Sequence, residues 1–201
     1  LEFRRVLFRS DMSLEAARIA IKYMTPVILL TDGYLAQGSH PWKIPKLSEL
    51  PDIPVEYETN PENFGPYKRD PETLSRPWAI PGTQGLEHRI GGLEKDDFGG
   101  NVSHDPMNHQ KMVEYRADKI KGISKDIPLL EIDGPDEGDL LVVSWGSTYG
   151  AAKTAIDKLR KDGETISYIN LKYLYPFQKN LGEIIKKFKR ILVPEMNNGQ
   201  L

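Results

Sequence analysis

The last third of the sequence alternates two apolar patterns, and this alternation restricts the fold more than any other feature. Runs rich in apolar residues at 140–144, 165–171 and 190–194 are typical of strands buried on both faces of a sheet. Apolar residues at helical spacing between these runs predict two helices, the first through Ala152, Ala155, Ile156 and Leu159 and the second through Leu181, Ile184, Ile185 and Phe188. The order βαβαβ predicts an α/β fold with a parallel sheet and right-handed crossovers.

A turn at Gly146, Ser147 and Thr148 joins the first of these strands to its helix. Ligands of α/β proteins bind beyond the carboxyl ends of strands, and free amides at a helix N-terminus attract anions. Serine and threonine are also preferred helix caps, so these three residues form either an anion site or a helix cap, and capping is the more ordinary role. At the other end of the helix, Gly163 is predicted to be a left-handed cap.

Residues 11–35 contain a shorter pattern of the same kind. Apolar residues at helical spacing predict a helix from Ser13, as its N-cap, to Met24. The apolar run 27–31 predicts a strand buried in a parallel sheet. Asp32 ends this run at a position where α/β sites concentrate, although a turn carboxylate is its more ordinary role.

Residues 1–10 begin without methionine, and their apolar stretch is too short for a secretory signal. We interpret residues 1–10 as a cloning or assembly scar and leave them out of the fold prediction.

Residues 36–137 are predicted to form a long Pro/Gly-rich connecting arm. Positions 36–135 hold 12 of the 15 prolines and 10 of the 17 glycines, which makes long regular elements unfavourable. We expect the spaced aromatic residues of this arm to lie in grooves of another subunit or domain: Trp42, Tyr57, Phe64, Tyr67 and Trp78. The alternative is a solvated linker, which this many aromatic residues disfavour.

Three histidines, His88, His104 and His109, lie in one glycine-rich stretch near several carboxylates. A metal site needs ligands that converge at helical or turn spacing, and Pro106 separates His104 from His109. We therefore expect structural or interface roles for these histidines, with metal binding and acid–base catalysis as less favoured alternatives.

Composition excludes several classes of function. A net charge of −2 gives no electrostatic basis for binding nucleic acid. No apolar run approaches the roughly 18 residues of a membrane span. The absence of cysteine excludes disulfides, thiolate nucleophiles and cysteine-ligated iron–sulfur clusters on this chain, and it fits a cytoplasmic location.

Six motifs follow one another in the sequence. They are YMTPVILLTDGYL at 23–35, GTQGLEH at 82–88, DPMNHQKM at 105–112, LVVSWGS at 141–147, LYPF at 174–177 and VPEMNNGQL at 193–201. In this order and spacing they resemble the α subunit of 2-oxoacid:ferredoxin oxidoreductases, most closely the 2-oxoglutarate type.

This resemblance implies a domain organisation. Residues 11–35 would be the end of a thiamine pyrimidine-binding domain, residues 36–137 a connecting arm, and residues 138–201 a transketolase C-terminal-like domain. The chain stops at Leu201 directly after a predicted strand, so we expect this last domain to be truncated.

The resemblance also implies an activity. Such enzymes decarboxylate a 2-oxoacid on thiamine diphosphate, pass two electrons through iron–sulfur clusters to ferredoxin, and form an acyl-CoA. The β subunit would carry the diphosphate, the magnesium ion and the cluster. The family's Tyr-Pro-Ile-Thr-Pro stretch, its cofactor-activating glutamate and its substrate-reading Arg/Thr motif would lie upstream of residue 11, so no catalytic, cofactor-binding or metal-binding residue is assigned to this chain. We expect the chain alone to be inactive and mainly to supply scaffold and subunit interface.

Two alternatives stay open. The β chain of a 2-oxoacid dehydrogenase or a transketolase-like enzyme shares the last domain but has a much shorter linker. A non-catalytic interaction module would also account for the chain taken alone.

Overall fold

The structure is a computed structural model that describes residues 4–38 and 44–201, with side chains from residue 11 onward except that of residue 35. Trp42, one of the aromatic residues expected to lie in a groove, is outside the described residues. By internal contacts the chain forms two compact units. The first consists of Leu1–Leu7, Leu30–Trp42 and Ser124–Leu201, and the second of Phe8–Leu29 and Lys43–Ile123.

The described residues form five α-helices and three strands. The helices are α1 (Arg4–Tyr23), α2 (Gly33–Ala36), α3 (Pro106–Ile123), α4 (Thr148–Lys161) and α5 (Leu181–Ile185), with a short 3-10 helix at Leu47–Glu49. The strands are β1 (Gly138–Trp145), β2 (Ser167–Leu171) and β3 (Phe188–Leu192). None of the helices within 4–38 and 44–201 is long and apolar enough to cross a membrane.

The first unit contains the predicted βαβαβ arrangement. Both β2 and β3 pair in parallel with β1, which lies at the centre of a sheet of order β2-β1-β3. The register places Val142 opposite Tyr168 on one side and Leu192 on the other. The predicted parallel sheet is therefore confirmed.

Helices cover both faces of this sheet because the side chains of β1 alternate between them. Leu141 and Val143 pack with Leu181 and Ile184 of α5. Val142 packs on the opposite face with Ile156 of α4. The continuous apolar run at 140–144 thus reflects a strand that is buried on both sides.

The last helix and strand have different bounds from those predicted. The apolar spacing predicts Phe188 in the helix, but the structure places it as the first residue of β3, where its side chain is buried in the core. Helix α5 ends at Ile185. Strand β3 begins at Phe188, two residues before the predicted 190–194 run. Apolar spacing misassigned Phe188 because a single residue at a helix–strand junction fits either period.

The predicted absence of long regular elements from residues 36–137 is wrong for α3, an 18-residue helix. The helix begins where the prolines and glycines become sparse. The backbone N–H of Met107 donates to Asp105 Oδ1 at 2.9 Å, and Pro106 occupies the first helical position. Aspartate as N-cap followed by proline is a favoured helix start, and this local signal outweighs the composition of the wider segment.

Two predictions for the N-terminal segment are also wrong. Ser13 is not an N-cap, because α1 begins at Arg4 and no proline or glycine interrupts the helix between Arg4 and Ser13. Residues 27–31 form no strand, and Ile28 is 82% exposed. A parallel strand exists only beside hydrogen-bonding neighbours, and no described strand lies beside this run. Instead, residues 33–36 form α2 directly after Asp32.

Candidate functional site

The turn between β1 and α4 has the predicted position but an unexpected capping pattern. Gly146 has a φ of +60°, which reverses the chain after Trp145. Ser147 is the N-cap residue, yet its side chain makes no capping hydrogen bond, so the side-chain cap predicted there is wrong. The Thr148 hydroxyl instead donates to the carbonyl of Trp145 at 2.7 Å. The anion role of Gly146, Ser147 and Thr148 stays a prediction.

This turn lies where the strand order of the sheet reverses. The chain passes from central β1 to β2 on one side and then to β3 on the other, so the loops after β1 and β3 flank the switch point. Glu195, in the loop after β3, accepts a hydrogen bond from Trp145 Nε1 at 3.0 Å. That hydrogen bond is the main reason that the pKa of Glu195 is below its usual value. A negative charge at this edge of the sheet opposes the binding of an anion there.

A second concave feature lies in the other unit, beside His88. It is a cavity of about 390 Å³ with Phe64 on its wall and basic residues around it: His88, Arg89 and Lys95. His88 Nδ1 donates to the carbonyl of Leu86 at 2.7 Å. Lys95 is only 2% exposed, and its Nζ donates to the Gly92 carbonyl at 2.6 Å.

The structure does not bring the three histidines together. His109 Nδ1 contacts Glu94 Oε1 at 2.9 Å, and Arg116 binds the same carboxylate. His104 is exposed, and His88 lies at the cavity. Within the described ranges, no group of three His, Asp or Glu side chains could hold a metal ion.

Nearby carboxylates are bound by protein donors. Asp96 accepts hydrogen bonds from the backbone N–H groups of Phe98, Gly99, Gly100 and Asn101. Burial raises the pKa of Asp96, but these hydrogen bonds and that of the Asn101 amide outweigh it, so the net pKa lies below the ordinary value. Asp97 pairs with Lys111. These two acids therefore order the loop at 96–101.

The aromatic residues of the arm contact neighbours within the second unit, to which they themselves belong. Trp78 Nε1 donates to the carbonyl of Ile21 near the end of α1 at 3.0 Å, and the backbone of Trp78 bridges to Tyr57. The ring of Phe64 lies 5.4 Å from that of His88. The Arg76 guanidinium lies over the Tyr67 ring, 4.7 Å from its centroid. These contacts order the arm through its aromatic side chains.

Sequence reasoning missed one cluster of basic side chains in this unit. Arg69 lies over the Tyr115 ring at 4.7 Å and donates to the Tyr67 carbonyl at 3.2 Å. Arg76 stacks on Tyr67, and Lys119 lies one helical turn after Tyr115 on α3. Positions 69, 76 and 119 have no shared sequence motif, and only the helical spacing of Tyr115 and Lys119 could have suggested part of the cluster.

Two family models match successive parts of the chain. The model described as "Pyruvate flavodoxin/ferredoxin oxidoreductase, thiamine diP-bdg" matches residues 9–105. The model described as "Pyruvate:ferredoxin oxidoreductase core domain II" matches residues 138–201.

Curated relatives resemble the chain over nearly all of its length. It is 48% identical over 192 residues to 2-oxoglutarate oxidoreductase subunit KorA of Mycobacterium tuberculosis, a match that covers 95% of the chain and 29% of the relative. It is 26% identical over 197 residues to 2-oxoglutarate synthase subunit KorA of Methanothermobacter marburgensis, which covers 95% of the chain and 50% of that relative. The chain thus spans half or less of the length of these two relatives.

A solved structure shows the same fold. It is the 2-oxoglutarate:ferredoxin oxidoreductase from Magnetococcus marinus with 2-oxoglutarate, coenzyme A and succinyl-CoA bound. The TM-score is 0.86 at 28% identity, and the match covers 94% of this chain and 33% of that one.

Proposed function

We infer that the protein of which this chain is a part oxidatively decarboxylates a 2-oxoacid, and that this acid is 2-oxoglutarate. The reason is that the chain belongs to the family of 2-oxoacid:ferredoxin oxidoreductase α subunits. The observation that carries the proposal is the 48% identity, over 95% of the chain, to a 2-oxoglutarate oxidoreductase subunit. In the proposed reaction, 2-oxoglutarate, coenzyme A and two oxidised ferredoxins give succinyl-CoA, carbon dioxide, a proton and two reduced ferredoxins.

The contribution that we propose for this chain is scaffold and subunit interface. Two groups of exposed apolar side chains support it. One follows α1, where Ile28 is 82% and Leu30 is 60% exposed. The other lies at the end of β3, where Leu192 is 52% and Val193 is 40% exposed. Contiguous exposed apolar surface of this kind marks sites where proteins associate.

Among the cofactors implied by the family, thiamine diphosphate is supported by a family model, whereas the described residues offer no ligand set for an iron–sulfur cluster or for magnesium. The model matching residues 9–105 is described as thiamine diphosphate-binding. A chain without cysteine supplies no thiolate to an iron–sulfur cluster. Magnesium needs convergent oxygen ligands, and the part of the chain with described side chains assembles no acidic group of that kind. We propose that the diphosphate, the magnesium ion and the cluster are held mostly by a partner subunit.

The relatives are named as subunits, so other subunits belong to such an enzyme. We propose a β subunit of the same enzyme as the direct partner, ferredoxin as the electron acceptor reached through it, and the cytoplasm as the location. The turn at 146–148 stays a candidate anion site of this subunit, although the Glu195 carboxylate bound to Trp145 beside it disfavours an anion there.

The proposal is tested with the full-length protein that contains this chain, produced anaerobically together with its β subunit. We expect ferredoxin reduction that requires both 2-oxoglutarate and coenzyme A, with pyruvate a poorer substrate. The 201-residue chain alone serves as the control and is expected to reduce no ferredoxin. An intact complex that reduces ferredoxin with no 2-oxoacid would contradict the proposal.

A further inference from the structure

Three basic side chains of the second unit form what we call the cation cluster: Arg69, Arg76 and Lys119. Two aromatic rings hold its guanidinium groups in place. Arg69 lies over Tyr115 and Arg76 over Tyr67, each 4.7 Å from the ring centroid. Arg69 also donates to the Tyr67 carbonyl at 3.2 Å and contacts Met112 Sδ at 3.3 Å. Both groups are therefore oriented before any ligand arrives.

The third cation, Lys119, is partly buried within electrostatic range of the other two. Burial, and after it the charges of Arg69 and Arg76, together lower the pKa of Lys119 to about 8. Burial likewise lowers the pKa of Arg69.

Among the described side chains, no carboxylate forms an ion pair with Arg69, Arg76 or Lys119. The ion pairs formed by described side chains of this region join His109 and Arg116 to Glu94, and Lys111 to Asp97. Asp97 acts on Arg69 through space, but it is already bound to Lys111. The phenols of Tyr67 and Tyr115 also act on the charge of Arg69.

Three like charges held together and partly removed from water are unfavourable unless an anion joins them. A guanidinium presents a planar fork of donors that matches the oxygens of a phosphate, and an ammonium adds a point charge. An occupant with more than one phosphate group would neutralise all three cations.

We propose that the cation cluster binds the phosphate groups of coenzyme A. This rests on the proposed function, in which coenzyme A is a substrate. Coenzyme A carries a diphosphate and a 3′-phosphate, and so supplies the several anionic groups that three cations require. Arg69, Arg76 and Lys119 are the binding residues in this proposal, and Tyr67 and Tyr115 are positioning residues.

The test uses the complete complex and isothermal titration with coenzyme A. We expect Arg76→Gln and Lys119→Gln each to raise the Kd for coenzyme A by about ten- to a hundredfold, as expected when one charged hydrogen bond to a phosphate is lost. Lys121→Gln removes the same charge from the opposite side of α3 and is expected to change the Kd less than about twofold. Dephospho-CoA assigns the phosphate: weaker binding indicates the 3′-phosphate, and unchanged binding that is still lost in Arg76→Gln indicates the diphosphate.

A melting experiment separates binding from folding. Because Lys119→Gln relieves repulsion within the cluster, the free variant is expected to melt no lower than the wild type, while the rise in Tm on adding coenzyme A shrinks. Folded variants that keep the wild-type Kd would overturn the proposal. Loss of β-subunit assembly at an unchanged Kd would overturn it too, and would assign the cluster to an acidic protein surface.

These outcomes differ from failure of the proposed function. If the wild-type complex converts 2-oxoglutarate with coenzyme A and the cluster variants keep their affinity, only the inference fails. If the wild-type complex does not bind coenzyme A, both fail.

Discussion

Among single residues, Lys119 has a pKa of about 8, far below its ordinary 10.5, because of burial and two nearby guanidinium groups. In the unfolded chain, Lys119 stays protonated up to its ordinary pKa of 10.5. The charged side chain therefore lowers the stability of the fold below pH 8, and this loss of stability disappears between about pH 8 and pH 10.5. We expect Lys119→Gln to be at least as stable as the wild type at pH 7, and this advantage to shrink as the pH rises towards 10. Urea unfolding of both proteins across this range measures the difference, with Lys121→Gln as control. A difference that does not change with pH would contradict the account.

Arg160 is the second residue whose contacts support a quantitative prediction. Its Nε donates to the carbonyl of Ile166 at 2.9 Å, and its Nη1 binds Asp133 Oδ1 at 2.9 Å. Burial raises the pKa of Asp133, but hydrogen bonds from Lys153 and Arg160 outweigh it and hold the net pKa below the ordinary value.

We expect Arg160→Met to lower the free energy of unfolding by about 2 kcal/mol at pH 7, the typical cost of losing charged hydrogen bonds. Folding lowers the pKa of Asp133, so the ion pair between Asp133 and Arg160 stabilises the protein fully at pH values above the ordinary pKa of Asp133. This stabilisation is lost as the pH falls through the lowered pKa of the folded state, and the effect of Arg160→Met shrinks with it. Lys158→Met, an exposed lysine of the same helix, is the control. Equal effects of the two substitutions at pH 7 would contradict the role of Arg160.

At the scale of elements, two glycines test how α4 and α5 are built. Gly163 has a φ of +98°, and its N–H donates to the Arg160 carbonyl at 3.1 Å while that of Glu164 donates to the Leu159 carbonyl at 3.0 Å. This is the paired pattern that ends a helix with a left-handed residue, as predicted. Gly182 lies inside α5, where a Cβ would meet nothing within 4 Å.

We therefore expect opposite effects of the same substitution at these two positions. Gly163→Ala should destabilise the protein by about 1 kcal/mol because alanine disfavours a positive φ. Gly182→Ala should stabilise it by about 0.5–1 kcal/mol because alanine favours a helix. Chemical denaturation of the two variants checks this, and shifts of the same sign would show that one of the two backbone assignments is wrong.

The elements also show how far the sequence could predict this molecule. The alternation in residues 138–201 was sufficient for β1, α4 and the parallel order, because each strand and helix there has its neighbours in the same segment. The run at 27–31 has the same apolar signature, but a strand also needs partners, and a pattern does not reveal them. The cation cluster was beyond prediction because Arg69, Arg76 and Lys119 meet only through the folded arm and α3.

At the scale of the whole molecule, we expect the exposed apolar residues at 27–31 to be covered by another chain. Amides at 27–31 lie outside any strand, and Ile28 and Leu30 are largely exposed. We expect these amides to exchange with deuterium rapidly in the 201-residue chain and much more slowly in the complete complex. Residues 141–143 of central β1 provide the control, with slow exchange in both. Equally rapid exchange of 27–31 in both samples would contradict an interface role.

The central claim is our proposal that the protein containing this chain makes succinyl-CoA from 2-oxoglutarate. The most direct measurement gives the complete anaerobic complex uniformly ¹³C-labelled 2-oxoglutarate, unlabelled coenzyme A and oxidised ferredoxin, and follows the label by mass spectrometry. The account predicts that four labelled carbons appear in succinyl-CoA and one in carbon dioxide, only when coenzyme A is present and in step with ferredoxin reduction. Release of labelled carbon dioxide with no labelled succinyl-CoA, from a complex that binds coenzyme A, would contradict it.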